Sequence, residues 1–311
     1  VMMNAEEPIR RIWHEYNLAP VQSIVSLLPD YRRYIVNDRY VIHFSSLQDE
    51  SVDLHSEKEA YRILRGASVP VPETIVLDES GRVVPFSFLI TTRLKGGPLS
   101  RSWPDLEAPD REHLAREAGR YLATIHTYSF DTFKTLSAAP GDEGFTNGYR
   151  YIQNKFRKYA RKAINADRIE KTTIARIKMV LDKLRPLFER VEKASLLHGQ
   201  FHLNQLWQHN GELTGIIGFE QAHTGDPAFD LQSDDRLDPS FPGYLPSFYE
   251  GYEQVKALEP QNVLKQSFCK LLFYLDRLAV SSPEPREAYE ENHNKLSRQL
   301  NLLEINTVHL A

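Results

Sequence analysis

The sequence predicts a mixed α/β (α+β) chain, a small sheet-rich N-terminal part followed by a larger, mostly helical one, and three observations carry that expectation. Residues 21–28, 31–36 and 39–44 are short runs rich in β-branched and aromatic side chains, and only Asn37 and Asp38 separate the last two, a tight-turn pair. Gly96, Gly97 and Pro98 then break the pattern, and from residue 110 onward apolar residues recur at helical spacing. Residues 196–231 interrupt the helices with short apolar segments around Asn210-Gly211, a strong short-range hairpin signal. On this reading residues 1–95 form an N-terminal lobe and residues 96–311 a helical C-terminal lobe carrying the 196–231 segment.

Each element has its own local reason. Residues 6–16 read as a short amphipathic helix that tolerates Pro8 in its first turn, where its missing N–H has no intrahelical partner to lose. Residues 53–66 read as a helix with Leu54, Tyr61, Ile63 and Leu64 as apolar contacts and Gly66 as its stop. SVPVPETIVLD and SFLITTRL read as further strands. In residues 110–128, Leu114, Ala118, Tyr121, Leu122 and Ile125 line one helical stripe, so His126 is read as a packed structural histidine. Residues 131–147 read as a loop. Residues 149–164 and 172–191 read as helices rich in Lys and Arg interleaved with aromatics; a solvated basic face with aromatics turned inward is favoured over an anion-binding surface. Three C-terminal helices follow over 241–252, 261–279 and 284–303. Val263, Leu264, Phe268, Leu271, Leu272, Leu275 and Leu278 are expected in the core.

Composition narrows the function classes. A net charge of −4 over 311 residues argues against a dedicated nucleic-acid or anionic-membrane binder, since such surfaces need a large basic excess. The single Cys269 cannot form an internal disulfide, which fits a reducing compartment. Neither a signal peptide nor a long apolar run is seen, so the expectation is a soluble cytoplasmic protein.

The chemistry is expected between residues 196 and 231, where His198, Gln200, His202 and Gln205 would face Gly218, Phe219 and Glu220 across a small gap. HGQFHLNQ followed by IIGFEQAHTGDPAFDL resembles the catalytic hairpin of the aminoglycoside phosphotransferase and choline kinase-like family, written there as HGDxHxxN and then IDFxxAxxGDPAxDLA. The resemblance implies a two-lobed protein-kinase-like fold, with an antiparallel nucleotide-covering sheet in the N-terminal lobe. It also implies ATP and Mg²⁺ as cofactors and a hydroxyl-bearing small molecule as acceptor. The first strands would cover ATP; His43 stands at the phosphate-gripping Lys or Arg, with a plain structural histidine on a half-buried strand the favoured reading, and Glu59 stands at its helix partner, while Glu57 reads as a solvated charge and Glu59 is open to the same reading. Adenine would bond backbone groups around Thr91 and Arg93 beside the hinge at 95–98. Asp226 and Asp230 match the family's structural carboxylates.

The departures from the family pattern fall on the reactive groups. Gln200 stands at the catalytic Asp, Gln205 at the metal-binding Asn, and Gly218 at the metal-binding Asp. A neutral amide cannot take up a hydroxyl proton near pH 7, and losing a general base costs roughly 10²–10⁴ in rate. Glycine offers Mg²⁺ nothing, leaving Gln205 and Glu220 as the remaining oxygen donors. The turn LLPDY, where family members have glycines, has none, and Asp30 adds a negative charge there. The expectation is a pseudokinase that has lost Mg-ATP phosphoryl transfer and binds a small molecule or peptide in the inter-lobe cleft, or a protein partner. Two alternatives stay open: an active kinase of a small hydroxylated metabolite or antibiotic, and a scaffold or maturation subunit of a biosynthetic complex.

Overall fold

A computed structural model describes residues 5–27, 32–45, 52–137, 142–232, 241, 243–281 and 286–310. They fall into two compact units, Val1–Ile125 with His198–Ala222 and Pro246–Tyr252, and His126–Leu197 with His223–Leu245 and Glu253–Ala311.

The first unit is built on a five-stranded antiparallel sheet in the order β1-β2-β3-β5-β4, from β1 (Ile24–Ser26), β2 (Arg33–Val36), β3 (Tyr40–Ser45), β4 (Thr74–Asp78) and β5 (Ser87–Thr92). Asn37 and Asp38 close the β2–β3 hairpin at φ 54° and 53°, the paired left-handed conformation that matches strand twist. Side chains alternate across the sheet with period two. Tyr34, Ile42, Phe44, Phe88 and Ile90 bury one face against Ile9, Ile12 and Trp13 of helix α1 (Glu6–Glu15). His43 lies on the opposite face, toward α2 (Leu54–Leu64), whose N-terminus is capped by the Asp53 carboxylate accepting from the Ser56 N–H at 2.9 Å. The helix stops before Gly66, at φ 83°.

A second sheet in this unit runs β10-β9-β6, from β6 (Gly97–Pro98), β9 (Leu206–His209) and β10 (Glu212–Ile216). Gly96 is obligatory beside it: its φ is 79°, and a Cβ there would lie 1.9 Å from the carbonyl oxygen of Gln208. Helices α3 (Leu99–Ser102) and α4 (Ala108–Ile125) follow, and Gly119 of α4 lets its backbone meet Phe248 of α7 (Tyr244–Glu253).

The second unit holds a three-stranded sheet, β11-β8-β7, from β7 (Ser129–Phe130), β8 (Ala194–Leu197) and β11 (His223–Gly225). Its helices are α5 (Gly148–Asn165), α6 (Lys171–Glu189), α8 (Asn262–Val280) and α9 (Arg286–Asn306). They enclose a core that includes Phe156, Leu181, Phe188, Phe268, Leu272 and Leu300. Among the described residues no helix is long and apolar enough to cross a membrane.

Two sequence expectations need correction. Residues 196–231 do not form one hairpin: β8 pairs with β7 and β11, whereas β9 pairs with β10 and β6. Gly199 makes the break, at φ 88° and with a would-be Cβ only 2.2 Å from the Gln221 carbonyl oxygen. Val263 is 63% exposed rather than core. The buried stripe of α8 passes instead through Lys265, Phe268, Cys269 and Leu272, and Lys265 is admitted because its Nζ donates to the buried Asp226 carboxylate at 2.8 Å.

Candidate functional site

The first unit gathers a buried charge network on the sheet face opposite α1. Arg33 of β2 sits directly across from His43 of β3. His43 Nδ1 lies 2.8 Å from Glu57 Oε2, and the Tyr61 hydroxyl donates to Glu57 Oε1 at 2.7 Å. Arg33 Nη2 donates to Glu220 Oε2 at 2.8 Å, with their side chains 4% and 11% exposed. Burial pushes the Glu57 carboxyl up, but His43, Arg33 and the Tyr61 hydroxyl more than offset it and hold it at about 2. Tyr61 is driven well above its ordinary value by burial and then by Glu57.

The partner of His43 is therefore Glu57 and not Glu59, which chelates the Arg62 guanidinium at 2.6 and 2.8 Å on the exposed side of α2. A signal for this lay in the sequence: Leu54, Glu57, Tyr61 and Leu64 share one helical stripe, and Glu59 falls off it. Arg33 was overlooked; a lone arginine in an otherwise apolar strand needs a carboxylate when buried.

The loop from His198 to Gln205 meets Ile217–Gln221 within the same unit. His198 is fully buried, its Nε2 donates to the Ile217 carbonyl at 2.9 Å, and its ring lies 4.4 Å from that of Phe219. The Gln200 N–H donates to His198 Nδ1 at 3.3 Å, which leaves the Gln200 side chain on the exposed side. His202 is spent on the turn, accepting from the Asn204 N–H at 3.2 Å. Gln205 does face Gly218. Gly218 has φ 84°, and a Cβ there would fall 2.1 Å from Gln205 Oε1, so the longer amide fills the space a metal-binding carboxylate would need. Gln205 Oε1 is buried without a hydrogen-bond partner among the described residues. Of the oxygens expected around Mg²⁺, the Gln205 amide oxygen has no partner among the described residues, Gly218 supplies none, and the Glu220 carboxylate is shared with Arg33 through Oε2. Mg²⁺ wants near-octahedral oxygen ligation, usually with one or two carboxylates, so these residues do not fit it.

The face of the unit where the family resemblance would put a nucleotide is filled by side chains. Trp207 of β9, 1% exposed, packs with Leu27, Ile217, Ile35, Val41 and Leu94. The cavity lined by Arg33, His43, Thr91, Leu94, Trp207 and Ile217 has about 10 Å³ free, the room of one water. Thr91 is paired on both sides, with Val41 and Thr74. The Arg93 N–H donates to the Arg39 carbonyl at 2.9 Å, and its guanidinium pairs with Asp38 and lies over the Trp207 ring. Asp30 and the rest of 28–31 lie outside the described residues.

The remaining predicted residues belong to the second unit. Asp226 caps the turn Pro227–Phe229 through the Ala228 N–H and binds Lys265. Asp230 Oδ2 lies 3.1 Å from Nε2 of the buried His126. Both carboxylates thus brace backbone and helices.

Comparison with known proteins places the chain by family and fold. Residues 29–233 match the phosphotransferase enzyme family. The aminoglycoside phosphotransferase APH(2″)-IIa bound to gentamicin superposes with a TM-score of 0.68 at 17% identity, over 96% of this chain and 97% of that one. A putative fructosamine-3-kinase from Thermobifida fusca gives 0.65 at 17% identity, over 90% and 94%. A thermostable mutant of APH(4)-Ia, solved with AMP-PNP and hygromycin B, gives 0.64 at 18% identity, over 96% and 97%. No curated protein sequence matches. At these identities the likeness establishes a protein-kinase-like fold, with an antiparallel N-terminal sheet and a helical C-terminal part.

Proposed function

The chain belongs to the phosphotransferase enzyme family, and we propose that within it this protein is a pseudokinase, a member that does not transfer phosphate from Mg-ATP and acts by binding a different ligand, a small molecule, a peptide or a protein partner. One observation carries the reading. The space beneath the sheet, where a nucleotide base would stack, is taken by Trp207 among Leu27, Ile35, Val41, Leu94 and Ile217, and the cavity left beside it, which Arg33, His43 and Thr91 also line, has about 10 Å³. Small-molecule pockets run to about 300–1,000 Å³, so the deficit is more than tenfold. The charged groups support the same reading: Arg33 pairs with Glu220, His43 is hydrogen-bonded to Glu57, and Gly218 carries no carboxylate. Among the described residues Arg33, His43, Glu57 and Glu220, which stand nearest the expected phosphate and metal positions, each have a side-chain partner inside the protein.

Relatives do hold nucleotides, as the AMP-PNP complex above states of that enzyme, so the decisive experiment is ATP binding by this chain. A ligand that binds only the folded state raises stability by RT ln(1 + [L]/Kd), roughly 2.7 kcal/mol at a hundredfold excess over Kd. Melting is expected to be unchanged by millimolar ATP, with or without Mg²⁺. A Mg²⁺-dependent rise in melting temperature would overturn the reading.

A further inference from the structure

Helix α4 and the β9–β10 hairpin, both in the first unit, meet through a cluster of ligating side chains that shares no residue with the buried network. His113 and Glu117 are one helical turn apart on α4, so their side chains share a face. Glu212, the first residue of β10, meets them from beside the Asn210-Gly211 turn. His113 Nε2 lies 3.2 Å from Glu212 Oε2 and 3.5 Å from Glu117 Oε2. Glu117 is the most firmly held of the three: its Oε2 accepts from the Leu213 N–H at 3.4 Å, and Arg120 Nη2 lies 3.7 Å from its Oε1. Asp110, one turn before His113, reaches the same hairpin, since a Cβ on Gly211 would lie 4.0 Å from its Oδ1. Apart from His113, the one cation within ion-pair distance of these carboxylates among the described residues is Arg120. The cluster is open to solvent, with the His113 and Glu212 side chains 42% and 69% exposed, so an ion can enter without disturbing the fold.

We propose that His113, Glu117 and Glu212 form a surface zinc site that ties α4 to the β9–β10 hairpin. The inference is independent of the pseudokinase reading. Zn²⁺ holds nitrogen and oxygen ligands at about 2.0–2.1 Å in tetrahedral geometry, which sets them roughly 3.3–3.4 Å apart. The two distances from His113 Nε2 bracket that edge, and all three ligating atoms lie within 4.8 Å of one another, so the third edge closes by a rotamer adjustment of the exposed Glu212. Water takes the fourth position. The imidazole selects zinc over Mg²⁺, which prefers an octahedral shell of oxygens. Coordination replaces the proton on Nε2, while Nδ1 keeps its own. With the imidazole neutral, the carboxylates of Asp110, Glu117 and Glu212 against the single Arg120 guanidinium leave two negative charges, which a divalent ion balances. Glu117 is already oriented by groups outside the ligand set, as a metal ligand needs. The buried set His43, Glu57 and Glu220 offers the same residue types and fails: His43 Nδ1 and Glu57 Oε2 stand at hydrogen-bond spacing, 2.8 Å, and Arg33 holds Glu220.

The test is calorimetric titration of the untagged full chain, stripped of metals with EDTA and dialysed, with ZnCl₂ near pH 7, and melting followed in parallel. One equivalent is expected to bind and to raise the melting temperature, because only the folded chain brings the three ligands together. MgCl₂ is expected to do neither. Losing an outer-shell partner costs about tenfold or more in metal affinity, and losing a ligand costs at least as much. His113→Gln and Glu212→Gln, both at solvent-facing positions, should therefore leave the metal-free chain as stable as the wild type and weaken zinc binding about tenfold or more. Glu112→Gln, which removes an exposed carboxylate beside His113 but outside the cluster, should bind zinc as the wild type does. Absence of zinc binding, undiminished binding by His113→Gln, or an equal loss in Glu112→Gln would overturn the proposal. Equal binding of Mg²⁺ would do the same, since it would reduce the cluster to an unselective acidic surface.

Discussion

At the scale of single residues, Gly218 and Gln205 are one feature. The first has no side chain and a backbone at φ 84°, and the second reaches into the vacated space. Gly218→Asp alone therefore meets two penalties, a left-handed backbone costing about 1–2 kcal/mol and overpacking against Gln205 costing about 1–3 kcal/mol. Adding Gln205→Asn should return the second and not the first. Urea unfolding of the single and double variants reads this directly, and independent, additive effects would mean the two sites are not coupled. Glu57 gives a prediction in pH. Its folded value, about 2, lies below its unfolded one near 4.3, so its contribution is complete above about pH 4.3 and is lost as pH falls toward 2. Glu57→Gln removes the buried carboxylate that His43, Arg33 and the Tyr61 hydroxyl surround and should cost about 3 kcal/mol near neutrality. The gap between wild type and variant should then shrink between pH 4.3 and pH 2. A gap that stays constant over that range would show that the carboxylate does not hold its proton so weakly.

At the scale of elements, strand β9 decides what the first unit can bind. It is fixed on one side by β10 and on the other by Gly97 and Pro98 of β6, and this pairing sets Trp207 among Leu27, Ile35, Val41, Leu94 and Ile217. The indole is thus held in a strand paired on both sides rather than carried on a loop that can swing away. Trp207→Ala should cost about 3–5 kcal/mol through lost transfer energy and the cavity left behind. Because that cavity is apolar and lies beneath the sheet, adenosine, which needs neither Mg²⁺ nor phosphate contacts, should raise the melting temperature of Trp207→Ala and not of the wild type. Equal stabilisation of both proteins would show that Trp207 does not close the space to a nucleoside.

At the scale of the whole molecule, the family and the order of elements were legible because local chemistry and the motif spacing agree: Asn37-Asp38 and Asn210-Gly211 take up the left-handed turns their residue types favour, and HGQFH and GDPAFDL keep their spacing. His126 and Asp230 also come together as a packed histidine requires. What periodicity could not supply is which partner a charge finds across the chain. Arg33 meets Glu220, 187 residues away, and Lys265 meets Asp226, and both displace the apolar pattern that a helix or strand would otherwise show. Motif register points to Glu59 rather than Glu57 because it takes no account of the helical stripe. The same long-range pairing bears on what restoring two motif residues would achieve. Gln200→Asp with Gly218→Asp returns the carboxylates that a general base and a metal site need, yet leaves Trp207 in the base pocket, Gln205 in the metal-ligand space and Arg33 on Glu220. Each of these acts on binding rather than on the proton transfer, so an intact base would have no nucleotide to serve. The double variant is therefore expected to form no ADP above background with ATP, Mg²⁺ and a panel of hydroxylated acceptors, and to show no ATP-dependent rise in melting temperature. ADP formation by that variant and not by the unmodified chain would mean that the two carboxylates alone decide turnover and that the pocket opens readily, and the filled cavity would no longer support the proposed loss of phosphoryl transfer.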